Sequence, residues 1–145
     1  MRNGILNEYE EILRRNGLRS TKQKQMVFEL LLKSDRPMSA QDIASSLSGI
    51  NVSTVYRVLE ALVKVRVAKI VPRGFKTLYE VGDMFCRHHH HVTCERCGKT
   101  VVVHSERMEW LIRELTVKAG MMPTLHHVEM YGLCGECDKM KLNKT

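Results

Sequence analysis

Residues 86–97 read Cys-Arg-His-His-His-His-Val-Thr-Cys-Glu-Arg-Cys, and this stretch decides how the second half of the chain folds. Four consecutive histidines precede one C-x-x-C pair, Cys94 and Cys97, and a second pair, Cys134 and Cys137, lies near the C-terminus. Thiolates three residues apart around a tight turn can occupy two corners of a tetrahedron. The spacing therefore predicts a structural zinc site with four cysteine ligands. Two disulfides or a pair of redox thiols are the alternatives.

The composition limits the class of protein. The chain has 145 residues, 43% of them hydrophobic, which is enough for one domain or two small ones with a packed core. A formal net charge of +7 favours a polyanionic partner, nucleic acid before a membrane surface. No segment resembles a signal peptide or reaches transmembrane length, so we expect a cytoplasmic protein with no membrane partner. In that compartment its five cysteines favour metal binding over disulfides.

The apolar spacing of the first half predicts four helices followed by a β-hairpin. We expect helices over 5–16, from Ser20 or Thr21 to about 34, from Ser39 to about 47, and onward from Asn51 or Ser53. Strands are expected over 67–71 and 77–81, with a loop over 72–76 between them. This order predicts a winged helix-turn-helix, in which the helix after the turn enters the major groove of DNA.

Polar and basic side chains in this half predict how DNA is bound. Tyr56 can pack against thymine methyl groups, and Arg57 can donate to guanine or to a phosphate. The predicted base-reading residues are Ser53, Thr54, Tyr56 and Arg57, and the predicted backbone contacts are Arg19, Lys22, Lys24 and Arg73. The alternative is that Tyr56 packs on the core and that the basic residues form a solvated surface.

A change in composition after Gly82 predicts a hinge and a second domain, so we expect domains at residues 1–82 and 83–145. In the second domain we expect strands over 89–94, 99–104 and 124–131 and a helix over 106–119. The predicted class is α+β. Because the second domain is too short to bury a large core, we expect it to depend on zinc and on a partner subunit.

The four histidines extend a predicted strand, along which side chains alternate between the two sides. His88 and His90 then face one side, and the other two histidines face the opposite side. Each pair can serve one metal site, with Glu109 and His126 as further ligands for one of them. Imidazole and carboxylate together suit zinc, iron(II), manganese or nickel.

The chain resembles the ferric uptake regulator (Fur) family over nearly its whole length. The resemblance rests on residues 17–21 (Gly-Leu-Arg-Ser-Thr), 53–59 (Ser-Thr-Val-Tyr-Arg-Val-Leu), 88–98, and 131–134 (Tyr-Gly-Leu-Cys) with Cys137. It implies a homodimeric repressor with a metal ion as corepressor. Its winged helix would bind double-stranded DNA at AT-rich palindromic operators, and its C-terminal half would be an α/β dimerisation domain.

The resemblance also implies three metal sites. The structural zinc site is matched by Cys94, Cys97, Cys134 and Cys137. A site within the C-terminal domain is matched by His88, His90, Glu109 and His126. A regulatory site at the hinge is matched by His89 and His91, with Cys86, Asp83 and Glu80 as candidates for the remaining ligands.

Departures from the family pattern at the hinge favour zinc as the regulatory metal. Iron and peroxide sensors carry a histidine where this chain has Pro37 and an acid where it has Val102. Zinc-sensing members carry a cysteine near the position of Cys86, and an aspartate where this chain has Lys69. Sulfur with imidazoles favours zinc over iron, so the chain is most similar to the zinc uptake regulators (Zur). An iron-responsive or peroxide-sensing repressor with Fe²⁺ or Mn²⁺ at this site is the alternative.

Functions of other classes are a metal-buffering protein and a zinc hydrolase. A catalytic zinc needs an open coordination position and a nearby general acid or base. The deaminase pattern needs H-x-E and P-C-x-x-C, whereas Thr93 precedes Cys94 here. A buffering protein does not need a winged helix. We therefore expect a protein that is not an enzyme.

Overall fold

The computed structural model describes residues 2–73 and 75–142, with side chains described for 4–73 and 75–139. The helices are α1 (Arg2–Arg15), α2 (Lys22–Lys33), α3 (Ala40–Ser46), α4 (Val52–Lys64), α5 (Glu106–Lys118) and α6 (Gly135–Leu142). The strands are β1 (Ala68–Arg73), β2 (Lys76–Val81), β3 (His90–Cys94), β4 (Thr100–Val103) and β5 (Glu129–Gly132). The α+β class expected from the sequence is confirmed.

The chain divides into two compact units, Met1–Arg87 and His88–Thr145. The first unit holds α1 to α4 with β1 and β2, and the second holds the remaining elements. The functional domains expected at 1–82 and 83–145 stay a prediction. In the part of the chain that the structure describes, no helix combines the length and the apolar character needed to cross a membrane.

Short polar side chains begin the helices of the first unit. Thr21, Ser39 and Asn51 are the N-caps of α2, α3 and α4, and each accepts a hydrogen bond from the backbone N–H three residues later. Asp42 completes a capping box with Ser39. These bonds satisfy N–H groups that the first helical turn leaves without a partner. The sequence left two N-caps open. The cap of α2 is Thr21 and not Ser20, and the cap of α4 is Asn51 and not Ser53.

One apolar core joins the helices of the first unit to β1 and β2. The rings of Tyr9 and Phe28 stack with centroids 4.4 Å apart. The side chains that α4 buries are Val55, Val58, Leu59 and Leu62. Fully burying a valine or leucine contributes roughly 1.5–3 kcal/mol, so this stripe fixes the rotation of α4 about its axis. Its other face, with Tyr56 and Arg57, is left exposed.

The hairpin after α4 is the wing. β1 and β2 pair antiparallel from Ala68–Val81 to Arg73–Lys76. The loop expected over 72–76 is shorter than predicted, because the ladder continues through Pro72 and Arg73 on one strand and begins again at Lys76 on the other. The backbones of Met38 and Tyr79 exchange two hydrogen bonds of 2.9 and 2.8 Å, which attach the wing to the segment before α3. The predicted winged helix is confirmed.

The second unit contains a three-stranded sheet in the order β4-β3-β5. β3 and β4 are antiparallel, and β3 and β5 are parallel. The strand expected over 124–131 is wrong in extent, because pairing with the short β3 starts only at Glu129 and residues 121–128 have no regular structure. The helix α6 was not predicted, since its apolar residues show almost no helical periodicity.

Candidate metal centres and nucleic-acid interface

Four cysteines converge at one end of the sheet in the second unit. Cys94 is the last residue of β3, and Cys97 follows in a turn that ends at Gly98, whose φ of +74° suits glycine. Cys134 directly precedes α6 and Cys137 lies in its first turn, two and five residues after the end of β5. Because β3 and β5 run parallel and end side by side, the two C-x-x-C segments meet. The four sulfur atoms all lie within 4.8 Å of one another.

This donor set fits zinc. The Sγ atoms of Cys97 and Cys134 are 3.7 Å apart, and the Cys134 N–H donates to the Sγ of Cys94 at 3.4 Å. Tetrahedral zinc with Zn–S bonds of about 2.3 Å places its sulfur atoms about 3.8 Å apart. All five cysteines of the chain are free thiols, so the disulfide alternative has no support.

The cysteines differ in how readily they ionise. Hydrogen bonds from the backbone N–H groups of Cys97 and Cys134 lower the pKa of Cys94 to about 6. Burial, followed by contact with the other three thiols, raises the pKa of Cys137 to about 12. Four thiols this close therefore cannot all ionise at neutral pH without a cation. A divalent ion that binds them releases the remaining protons.

A second cluster forms on one face of β3, under α5. The Nε2 of His90 is 2.5 Å from Oε1 of Glu109, and the Nε2 of His88 is 3.5 Å from the same oxygen. His126 approaches the other oxygen of Glu109 at 3.4 Å. The Nε2 atoms of His88 and His126 are 3.1 Å apart. All four ligand atoms lie within 4.8 Å of one another, as the alternation along the strand predicts.

The protonation states in this cluster are those that metal ligands need. Burial raises the pKa of Glu109, but the hydrogen bond with His90 and the nearby imidazoles outweigh it, so the pKa lies below its usual value. Burial lowers the pKa of His126, and the opposing field of Glu109 does not reverse this. At neutral pH the carboxylate is therefore ionised and the imidazole of His126 is neutral, ready to donate a lone pair.

The candidates for the hinge site fall into two groups. In the second unit, the rings of His89 and His91 have centroids 5.0 Å apart. In the first unit, the ammonium of Lys69 lies 2.6 Å from Asp83 and 3.7 Å from Glu80. That ion pair was missed by the sequence reasoning, because the two residues it joins most closely are 14 positions apart. Assembly of one site from both groups stays a prediction.

Cys86, the fifth cysteine, is partly buried in the first unit. Its Sγ lies 3.7 Å from the carbonyl oxygen of Gly82. Burial raises the pKa of the Cys86 thiol, and Lys69 only partly opposes this. The thiol is therefore protonated at neutral pH unless a metal ion displaces the proton. Its role as a ligand stays a prediction.

The predicted DNA contacts all lie in the first unit. On α4, Ser53 and Arg57 are exposed and the side chain of Tyr56 is 54% exposed, which argues against a core position for this tyrosine. Arg19 and Lys22 are exposed as well, and the ammonium of Lys24 donates to the carbonyl of Arg19 at 2.8 Å. Thr54 is partly buried near the N-cap of α4, and Arg73 is partly buried at the end of β1. The exposed face of α4 is thus polar, basic and aromatic, as base reading requires.

Comparison with known proteins decides the family, because the model of the "Ferric uptake regulator family" matches residues 15–131 of this chain. The chain belongs to the Fur family. Members of this family are metal-responsive transcription regulators, and this chain is one of them.

Relatives of several kinds share this Fur-family sequence and fold. The peroxide-responsive repressor PerR of Staphylococcus saprophyticus is 32% identical over 129 residues, which cover 86% of each protein. The Helicobacter pylori ferric uptake regulator, whose structure reveals three functional metal binding sites, is 26% identical with a TM-score of 0.77, covering 94% of this chain and 93% of that one. A zinc uptake regulator solved with zinc and DNA has a TM-score of 0.66 over 97% of each chain. At 24% identity that likeness shows the fold alone.

Loss of one cysteine should remove the structural metal. We expect Cys134→Ser to reduce the zinc content of the purified protein by about one ion per chain and to unfold the second unit. A structural zinc contributes about 10–16 kcal/mol in small zinc domains, more than this unit can supply otherwise. Elemental analysis after dialysis and thermal unfolding measure the two effects. The matched variant Glu136→Ser, which changes an exposed residue between Cys134 and Cys137 that belongs to no ligand cluster, should keep this zinc, and an equal loss in both variants would contradict the assignment.

Proposed function

We propose that this protein is a zinc-responsive repressor that acts in the cytoplasm as a homodimer on AT-rich palindromic operators. The observation that carries the proposal is the exposed face of α4 with Ser53, Tyr56 and Arg57, fixed by a buried apolar stripe on the opposite side of the helix. A helix held in this way presents a constant set of side chains to a major groove. The same chain carries two clusters of metal-ligating side chains in its second unit.

Base contacts and phosphate contacts have separate roles in this proposal. Tyr56 and Arg57 on α4 contact base edges, with Ser53 and Thr54 beside them. Arg19, Lys22, Lys24 and Arg73 neutralise phosphates and set the position of the protein on the duplex. The formal net charge of +7 supports both steps, because it attracts the protein to DNA of any sequence.

Three sites hold metal in this proposal. The four cysteines hold a structural zinc, and His88, His90, Glu109 and His126 hold a second ion in the C-terminal domain. The regulatory ion is held by His89, His91 and Cys86, with Asp83 or Glu80 supplying a carboxylate. When bound there, a metal ion supplies a multivalent cross-link between side chains on either side of the hinge. The chain itself contributes ligands from both the 1–82 and the 83–145 domain. The separation of the two domains therefore depends on whether the regulatory site holds an ion.

Zinc is the ion that we propose for the regulatory site. The supporting feature is Cys86, because a thiolate with imidazoles suits zinc better than iron(II) or manganese. The PerR and Fur relatives favour an ion other than zinc, since one is named for a response to peroxide and the other for ferric uptake. An iron- or manganese-responsive repressor is therefore the second candidate, and the metal titration below distinguishes the two. No residue is assigned a catalytic role.

The apolar surface of α5 supports a homodimer. None of the side chains of α5, all of which the structure describes, is buried. Trp110, Leu111, Leu115 and Val117 are between 47% and 64% exposed. A soluble monomer rarely exposes an apolar patch of this kind, and a second copy of the same helix would cover it.

Metal dependence of operator binding is the direct test. We expect zinc to raise the affinity for an AT-rich palindromic duplex at least tenfold and to leave affinity for unrelated DNA unchanged. Fluorescence anisotropy during a titration with a chelator too weak to remove the structural zinc measures both affinities. A response to iron(II) or manganese without a response to zinc would favour the second candidate. Equal operator binding with and without any metal would exclude metal-gated repression.

Arg57 provides a test of the reading helix. We expect Arg57→Ala to weaken operator binding by about 1–3 kcal/mol, roughly 5- to 150-fold, because one charged contact to a base or phosphate is lost. Zinc content should not change. Arg113→Ala, which changes another exposed arginine, on α5, is the matched control and should bind as the wild type does. Unchanged affinity of the Arg57 variant would remove this residue from the interface.

A charge on α5 should separate the subunits. We expect the wild-type protein to have about twice the chain mass of 16.7 kDa in light scattering after size exclusion. Leu115→Glu should shift it to the mass of one chain, because burying an unpaired carboxylate in the interface is unfavourable. The control is Met84→Glu, which alters a 46% exposed side chain of the first unit and should leave the dimer intact. A dimeric Leu115 variant would place the interface elsewhere.

A further inference from the structure

His104 is a histidine that none of the three metal sites uses. It is exposed and follows directly after β4. Its ring centroid lies 5.9 Å from that of His89, and its Nδ1 lies 3.1 Å from the carbonyl oxygen of His88. Sequence reasoning passed over it, because its distance along the chain from the other histidines matches no ligand pattern.

The register of the sheet places this side chain with the regulatory histidines. β3 and β4 pair His90 with Val103 and His91 with Val102. Continued one step beyond its last pair, this register would set His89 opposite His104, and the 5.9 Å between their ring centroids agrees with that placement. Residues directly opposite each other point to the same side of a sheet, and His89 and His91 share that side by alternation. Three imidazoles therefore occupy one face, and the cluster around Glu109 occupies the other.

The hydrogen bond of His104 prepares it to bind a metal ion. A carbonyl oxygen can only accept, so the Nδ1 of His104 must carry the proton and donate it to the oxygen of His88. In the neutral form of this ring the lone pair is then on the Nε2. Metal-ligating histidines usually have this arrangement, in which the second ring nitrogen donates to a carbonyl or a carboxylate and so fixes the tautomer.

We propose that His104 is a third imidazole ligand of the regulatory ion, together with His89 and His91. The assignment rests on the regulatory site of the proposed function and adds to it a ligand from the sheet. Ligand nitrogens of a tetrahedral zinc are about 3.3 Å apart, given Zn–N bonds of 2.0–2.1 Å. The ring of His104 must turn toward His89 to reach this spacing, and its exposed position leaves room for the turn.

The first unit gives an independent reason for a ligand from the sheet. Asp83 already has a cation, the ammonium of Lys69 at 2.6 Å, and Glu80 lies 3.7 Å from the same nitrogen. A metal ion must displace Lys69 before it can use Asp83. Position 102, directly opposite His91, is a valine and offers no donor atom. His104 supplies a donor nitrogen on the same face, where Val102 has no donor atom.

Metal affinity of the full-length protein tests the assignment. Zinc is titrated against a chromophoric chelator into protein that retains its structural zinc, and the absorption spectrum of the Co²⁺ form is recorded at each step. We expect His104→Ala to weaken zinc binding at the regulatory site about 10- to 100-fold and to change the Co²⁺ d–d bands of that site. Binding by the cluster around Glu109 should be unaffected.

Two further variants make the result specific. His127→Ala removes an exposed histidine that belongs to no cluster, and it should bind zinc as the wild type does. Adding Val102→Glu to the His104 variant should restore affinity, because a carboxylate opposite His91 can replace the lost imidazole. Wild-type affinity and an unchanged Co²⁺ spectrum in His104→Ala would overturn the proposal. If His104→Ala loses affinity but operator binding of the wild type ignores metal, the ligand assignment stands and the proposed function fails.

Discussion

Four cysteine thiols within 4.8 Å of one another are the constraint on which the second unit depends. Its strands have four or five residues, and α5 buries none of its side chains. Apolar burial alone therefore stabilises this unit weakly. Burial and the three neighbouring thiols raise the pKa of Cys137, whereas hydrogen bonds from backbone N–H groups lower that of Cys94, so the four thiols do not ionise together. A divalent cation bound by the four sulfur atoms would allow all four to ionise, and it would join the end of β3 to the start of α6. The histidines of β3 are then held at fixed positions.

The alternation along β3 gives its two faces different chemistry. Under α5, three imidazoles meet the carboxylate of Glu109, so a bound divalent ion is partly neutralised within the unit. On the opposite face, His89, His91 and His104 offer imidazole nitrogen atoms and no carboxylate. An ion there keeps its full charge and gains from an anionic ligand supplied by another part of the chain. In the proposed function, occupancy of this second face is therefore the one that can depend on a ligand from the first unit.

The parts of the structure that the sequence predicted are those with local signals. Residues three positions apart form both the capping box of Ser39 and Asp42 and each C-x-x-C pair, so short sequence spacing predicts them. The apolar spacing of α4 likewise predicts its buried face. Residues 121–128 escaped prediction because strand pairing there is limited by the length of β3, and local propensity does not reveal that limit. His104 is near His89 only through the β3–β4 register, and Lys69 meets Asp83 across 14 residues. Such neighbours are set by tertiary structure, which sequence spacing does not encode.

Lys69 affects the metal concentration at which the proposed regulatory site fills. Its ammonium compensates Asp83 and Glu80 when no metal is bound, so the acids of the hinge do not repel one another. Asp83 is 44% exposed, and ion pairs at such sites contribute about 0.2–1 kcal/mol. Breaking the Lys69–Asp83 pair alone therefore costs less than a tenfold loss of metal affinity, since about 1.4 kcal/mol corresponds to tenfold. Glu80 is only 9% exposed, so losing the same ammonium costs more there unless the metal ion replaces it. The ion pair is too weak to exclude a divalent ion and strong enough to raise the concentration at which the ion binds. In the proposed regulatory site a lysine beside the hinge carboxylates thus sets a threshold, while Cys86 together with the imidazoles favours zinc.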